Sequence, residues 1–388
     1  MTKIGALEGL RGMAAVLVVV SHLRLDNSIF MQGWVQNSQS LLSVFFVLSG
    51  FVVAMGYGEG MRDGRDAGYF TLRRVGRIWP LHITALGALV ALELARLALN
   101  LAGVIHSERA PFTGPTSLEG LWENLLLVQM WGWQKLFTWN LPAYTLSVII
   151  VCYALFVLVA LTLKPLWMRI AAWGVLMAAA AAIFFDFTHA FMEWRGPSVA
   201  RGVMDFFLGA LTCMVWRAAP LRNAWAAAAL FFACVAFVFY AANAGPYGWL
   251  FPASSLAFAA MIYACAADAG PAAAALRSKP AAWLGEHSVA IYLFHFPILI
   301  FMLAGIGVFE RFVGHPLVVD VQVPSGEVME IVRIGPRWMM DILSVALLGV
   351  VLAAAAAAHR YIEIPARDFF ANLAARRFPR RDEAPEAA

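Results

Sequence analysis

Arg11 and His22 stand inside the first apolar run of the chain, Leu10-Arg11-Gly12-Met13-Ala14-Ala15-Val16-Leu17-Val18-Val19-Val20-Ser21-His22. A lipid-facing helix would carry neither. Eleven residues at 100° each make about three turns plus a small remainder, so both side chains leave one helix face about 16 Å apart along the axis. Ionisable groups at membrane depth are costly and face a bundle interior or a wet cavity, which makes the pair a functional-site hypothesis. An imidazole takes a proton from a hydroxyl and returns one near neutral pH, the work of a general base. The competing reading is a buried polar contact between helices, with Arg11 snorkelling to the interface and Glu8, three residues before it, as its partner.

Six further groups carry polar or small side chains to be weighed. Phe45-Phe46-Val47-Leu48-Ser49-Gly50-Phe51 sets a small Ser49-Gly50 step among aromatics, which suits close helix packing. Arg73, Arg74 and Arg77 precede Ile78-Trp79-Pro80. Residues 73 and 77 share a helical face with 74 beside it, ahead of a proline that suits the first turn of the next helix. Three guanidiniums there either clamp a phosphorylated ligand or anchor the segment by the positive-inside rule. Asn140 to Ile150 opens another apolar run and includes Tyr144, Ser147 and Ile149, while Arg201 and Asp205 stand at i and i+4, spaced for a salt bridge. His295 lies in Ile291-Tyr292-Leu293-Phe294-His295-Phe296-Pro297, where the proline frees a backbone carbonyl that the imidazole can satisfy. Arg360 and Glu363 are spaced as an i, i+3 anchoring pair.

The elements that position these groups follow from composition. Hydrophobic residues are 62% of the 388 and charged residues 13%, with a mean hydropathy of +0.74; these values place the chain among polytopic membrane proteins. Apolar segments of about 20 residues fall near 5–24, 38–58, 79–104, 142–163, 166–187, 199–217, 223–244, 247–267, 283–309 and 338–361. The expectation is an all-α protein of ten transmembrane helices in the lipid bilayer. Both termini are cytoplasmic in this reading, because Arg62, Arg65, Arg73, Arg74, Arg77, Lys164, Arg169, Arg217, Arg222, Arg277 and Lys279 then fall on inner loops. Residues 1–370 read as one membrane domain and 371–388 as a disordered cytoplasmic tail. The first segment lacks a small-residue cleavage site and is read as retained. The loop at 105–141, with Trp122, Trp131, Trp133 and Trp139, suits an amphipathic or re-entrant helix. The loop at 310–337, with Pro316, Pro324, Gly326 and Pro336, suits a small hairpin or irregular cap. A net charge of +4 from basic residues scattered at segment ends gives no nucleic-acid footprint. Cys152, Cys213, Cys234 and Cys265 lie singly in apolar runs and read as small hydrophobes, and no metal-ligand cluster is visible.

Taken together the segments resemble the integral-membrane acyltransferase-3 family of sugar and polysaccharide O-acyltransferases. The resemblance rests on Glu8-Gly9-Leu10-Arg11-Gly12 with His22 after a ten-residue gap, on Phe45 to Phe51, on Arg73 through Pro80, on Tyr292 to Pro297 and on Tyr361-Ile362-Glu363-Ile364-Pro365, in family order over nearly the whole chain. It implies transfer of an acyl group, usually acetyl, from cytoplasmic acyl-CoA to a hydroxyl of a glycan or similar acceptor by a multi-pass protein of a bacterial inner membrane. It also implies that Arg11 and His22 are needed for activity and that Arg73, Arg74 and Arg77 seat the CoA phosphates. One departure stands out. The family's fourth-span motif ends in Glu, whereas Tyr144-Thr145-Leu146-Ser147-Val148 is followed here by Ile149, and a carboxylate beside an imidazole would orient it and stabilise its charged form. Two other readings follow, an impaired scaffold of the same family and a transporter with an Arg11/His22 relay. Against transport, no paired broken helices mark an inverted repeat.

Overall fold

Apolar runs free of turn residues wind into long helices, and the computed structural model, which describes residues 3–105, 109–131, 138–189, 196–244, 250–322 and 328–379, is built of them. In chain order these are α1 (Gly5–His22), α2 (Gly33–Gln36), α3 (Leu42–Tyr57), α4 (Gly64–Leu101), α5 (Leu118–Leu126), α6 (Tyr144–Thr162), α7 (Leu166–His189) and α8 (Gly196–Ala218). There follow α9 (Ala224–Ala244), α10 (Leu250–Ala266), α11 (Gly270–Leu276), α12 (Lys279–Val313), α13 (Arg337–Ala358), a π-helical turn at His359–Glu363 and α14 (Ile364–Arg377). Strands β1 (Val318–Gln322) and β2 (Val328–Val332) pair antiparallel, with Val318 opposite Val332 and Gln322 opposite Val328, so the second long loop does hold a hairpin.

The protein is helical and membrane-integral, as the sequence leads one to expect. Among the described residues eight helices are long and apolar enough to cross a bilayer, or nine if the pair bent by 91° at Ala253–Ala266 and Gly270–Leu276 counts as one span. That pair and the shorter apolar helix at Leu42–Tyr57 occupy the other two of the ten expected segments. The first long loop carries α5, amphipathic as expected. Ser117 caps it by accepting the Gly120 N–H, Glu123 and Asn124 are buried, and Trp122 is exposed. α14 reaches Arg377, past the boundary drawn at 370. The expectations placed on Trp133, Pro324, Gly326 and the tail beyond residue 379 lie outside the described residues.

The described chain divides into two compact units, residues 1–56 with 205–355 and residues 57–204 with 356–388. In the first unit, glycine lets backbones touch. A Cβ on Gly12 of α1 would lie 2.3 Å from the Gly285 nitrogen of α12, and one on Gly285 would lie 2.3 Å from the Glu8 carbonyl oxygen. Where lipid removes the hydrophobic incentive for helices to associate, such close van der Waals contact supplies it. α3 packs on α8 in the same way, since a Cβ on Gly50 would meet Phe206 O at 1.8 Å and one on Gly209 would meet Val47 O at 1.9 Å. The Ser49-Gly50 step is therefore a packing step. Successive contacts along α1 meet successive residues of α12 in the same order, from Gly12 at Gly285 to His22 at His295, so the two helices run parallel. First and ninth segments of an alternating series must do so.

The far end of α1 is sewn to the hairpin. Arg24 adopts a left-handed φ of 44°, turning the chain so that Leu25 bridges Val332. Val332 N–H donates to Arg24 O at 2.9 Å, Asp26 N–H donates to Val332 O at 3.0 Å, and the Arg333 Nε donates to Asp26 Oδ2 at 2.6 Å.

In the second unit α4 corrects one expectation. Asp63 caps it, its carboxylate accepting the N–H groups of Arg65 and Asp66, and the helix runs 38 residues straight through Pro80. Pro80 therefore opens no new helix, and Arg73, Arg74 and Arg77 belong to the middle of α4, not to a loop ahead of it. Pro80 can offer no N–H to the Gly76 carbonyl. Gly76 is also where α14 comes closest, a Cβ there falling 2.3 Å from the Phe370 Cβ. Buried Arg169 donates to four backbone carbonyls, those of Gly58 (2.9 Å) and Met61 (2.9 Å) in the turn before α4 and those of Ala160 (3.0 Å) and Leu163 (2.7 Å) at the end of α6.

Candidate active site

The glycine contact between α1 and α12 decides what Arg11 can reach. Its Nε donates to Ser288 Oγ at 2.7 Å and its Nη2 donates to the Gly285 carbonyl at 2.7 Å. Ser288 Oγ itself donates to Gly285 O at 2.9 Å, which closes a small polar ring around the place where the backbones touch. Glu8 lies 3.6 Å from Lys3 Nζ. The guanidinium is thus tied across to α12, where the sequence offered Glu8 on its own helix.

Three turns along the same face, the His22 ring sits with its centroid 5.2 Å from that of His295. His22 Nδ1 lies 2.7 Å from the Val18 carbonyl one turn earlier. A carbonyl only accepts, so the hydrogen is on Nδ1 and the lone pair is on Nε2. Half-buried His22 is therefore held as the tautomer whose outer nitrogen can accept a proton.

His295 is fully buried, and neither of its ring nitrogens makes a well-formed hydrogen bond among the described residues, although the backbone of Ile291 and Tyr292 lies close by. The expected use of this imidazole, to satisfy a carbonyl freed by Pro297, is not what the structure shows; the ring faces His22 instead. Tyr292, whose ring centroid is 5.9 Å from that of His295, and Phe45, 5.5 Å from Tyr292, continue the wall. The first unit thus gathers Arg11, His22 and His295 from the residues singled out in the sequence. It adds Ser288 and Gly285, which the sequence reading passed over. The available signal was spacing, since Ser288 and His295 are seven residues apart on α12 and share a face.

In the second unit the arginine cluster is arranged unequally. Arg74 is surrounded by aromatic rings, its guanidinium carbon 5.2 Å from the Phe70 centroid, 5.4 Å from that of Tyr153 and 5.9 Å from that of Tyr57. It makes no hydrogen bond among the described residues, so the rings orient it while its N–H fork stays uncommitted. Arg73 is exposed and donates to Tyr69 Oη at 2.9 Å, and Arg77 is half-buried one turn on. Tyr144 lies within electrostatic reach of Arg201. Ser147 is buried and accepts the Met130 N–H at 3.2 Å, which fixes the chain leaving α5. Ile149 is a buried apolar side chain of α6. Arg201 is half-buried and Asp205 fully buried, one turn apart on α8.

The i, i+3 pairing expected of Arg360 with Glu363 is replaced. Glu363 accepts from His359 Nδ1 at 2.8 Å with both side chains buried, and Arg360 stacks on Tyr361 with its guanidinium carbon 5.6 Å from the ring centroid. The π-helical turn explains the exchange, because a wider turn brings residue i+4, and not i+3, back over residue i.

Beyond this geometry, the chain matches known sequences. The profile of the acyltransferase-3 family, described as an acyltransferase domain, covers residues 4–360. The chain belongs to this family of membrane acyltransferases. A relative, Acyltransferase MdmB of Streptomyces mycarofaciens, is 26% identical over 339 aligned positions covering 76% of this chain and 79% of its own length. Protein 2 in picA locus of Rhizobium radiobacter is 33% identical over 96 positions, 24% of this chain and 48% of its own. No solved structure matches. As a member of the family the protein is a transferase of acyl groups other than aminoacyl groups.

Proposed function

We propose that this acyltransferase moves an acyl group, acetyl in the simplest case, from acyl-CoA to a hydroxyl of a sugar, polysaccharide or similar acceptor, in a bacterial plasma membrane. The observation that carries the reading is the Nδ1–H of His22 on the Val18 carbonyl, which presents Nε2 as a base beside a second buried imidazole. In this scheme the acceptor oxygen bonds to the acyl carbon as the carbon–sulfur bond breaks. The hydroxyl proton passes to His22 Nε2 and then to the thiolate sulfur, leaving an ester and free CoA thiol.

Arg11, bonded to Ser288 and Gly285, keeps α1 and α12 in register, so that His22 stands in place beside His295, and holds the donor. Arg73, Arg74 and Arg77 take the CoA phosphates, with Arg74 already oriented by its three rings. Ile149 cannot supply the carboxylate that the family's motif carries, and the bond that such a carboxylate would make to an imidazole nitrogen is made here by a backbone carbonyl. This favours an active enzyme over an impaired scaffold.

The test is thiol release from acetyl-CoA by purified full-length protein with a panel of glycan acceptors. Wild type is expected to release thiol, His22→Ala to lose at least about 100-fold in rate, and Ile149→Glu to gain nothing. Thiol release that survives His22→Ala would sink the mechanism. Activity appearing only in Ile149→Glu would favour the impaired scaffold instead.

A further inference from the structure

His295 is a fully buried imidazole with neither nitrogen in a well-formed hydrogen bond, on a helix that two glycine contacts and the Arg11 bonds hold against α1. Leaving such a group without a partner costs free energy wherever it occurs, and its ring faces the residue assigned the base. An N–H···N bond of about 2.9 Å between two imidazoles puts their centroids about 5 Å apart. The observed centroid distance of 5.2 Å is of that size, with the rings at 56° to one another.

We propose that His295 is the positioning partner of His22: once Nε2 of His22 has taken the acceptor's proton, a neutral ring nitrogen of His295 accepts a hydrogen bond from that Nε2–H and so stabilises the imidazolium. His295 gains no net proton, and the proton still leaves to the thiolate sulfur. With the Val18 carbonyl on Nδ1, the neutral imidazole adds a second acceptor for the charged ring, in a chain whose corresponding motif ends in Ile149. The inference rests on His22 being the base of the acyl transfer proposed above.

Steady-state thiol release from acetyl-CoA separates this role from packing. His295→Phe keeps a ring but no acceptor and is expected to lower kcat about 10- to 100-fold with KM for acetyl-CoA within about twofold of wild type. His295→Gln restores an acceptor and is expected to recover most of that loss. Wild-type kcat in His295→Phe, or equal losses in the two variants, overturns the proposal. Should either variant fail to fold, the wild-type full chain carrying 15N-histidine decides. At a pH where His22 is protonated, a scalar coupling between nitrogens of the two imidazoles is expected through the hydrogen bond, and its absence overturns the pairing. If wild type releases no thiol with any acceptor, the acyl-transfer reading fails, and the coupling still reports on the pair by itself.

Discussion

Arg11 in the first unit and Arg169 in the second are both arginines inside apolar helices, and they are held in opposite ways. Arg169 is 3% exposed and spends its guanidinium on four carbonyls, two in the turn before α4 and two at the end of α6. Those are groups that a turn or a helix end leaves without partners. Arg11 is only partly buried and reaches across to a serine hydroxyl and one carbonyl of α12, on the face that also carries His22. A charge at membrane depth is thus not in itself a mark of chemistry. What separates the two is whether the guanidinium closes helix ends or joins a face that holds a titratable ring.

That contrast can be broken most forcefully at Arg169. Arg169→Ala should strip four carbonyls of their donor and destabilise the protein by about 4 kcal/mol, read as a large fall in the thermal unfolding midpoint in detergent. A midpoint within a degree or two of wild type would mean that water replaces the guanidinium and that the capping role is slight. Arg11→Ala should do the reverse, lowering kcat for thiol release by about 100-fold through misplacement of the reacting groups while moving the midpoint far less than Arg169→Ala does. If both variants lose the same stability and Arg11→Ala keeps its activity, the distinction collapses.

Gly12→Ala sharpens the comparison by attacking what places Arg11. A methyl 2.3 Å from the Gly285 nitrogen must push α1 from α12. This should cost about 2 kcal/mol in the unfolding midpoint and should reduce turnover with it. The smallest effect is expected at Arg74, a third manner of holding an arginine. Arg74→Lys keeps the charge but loses the planar stack and fork, and should raise KM for acyl-CoA by about fivefold, the equivalent of about 1 kcal/mol, with kcat unchanged. An unaltered KM would remove Arg74 from the donor site.

Much of this was legible beforehand for reasons of periodicity. Apolar runs long enough to cross a bilayer announced the helices, and a spacing of eleven residues put Arg11 and His22 on one face, as both their contacts with α12 confirm. Pro316, Pro324, Gly326 and Pro336 marked the loop that holds the hairpin. What escaped was whatever depends on a partner distant in sequence or on a departure from regular winding. Arg169 looked like any inner-loop base because the carbonyls of Gly58 and Met61 are more than 100 residues away. Arg74's cage draws Tyr153 from a different helix. Pro80 suits a helix start because proline is at home there, yet α4 runs through it, with α14 packed where the lost bond falls. Glu363 was assigned to Arg360 by α-helical spacing, which the π turn does not obey.

The stitching of residues 24–26 to β2 has a mechanical consequence. Two residues after His22 the chain is already locked into the hairpin by paired backbone hydrogen bonds, and Asp26 is clamped to Arg333. There is no slack between them. The segment acts as a short lever arm, so a load applied to the hairpin, as by a cross-link, is delivered to the end of α1 beside the imidazole and is not absorbed by a loop.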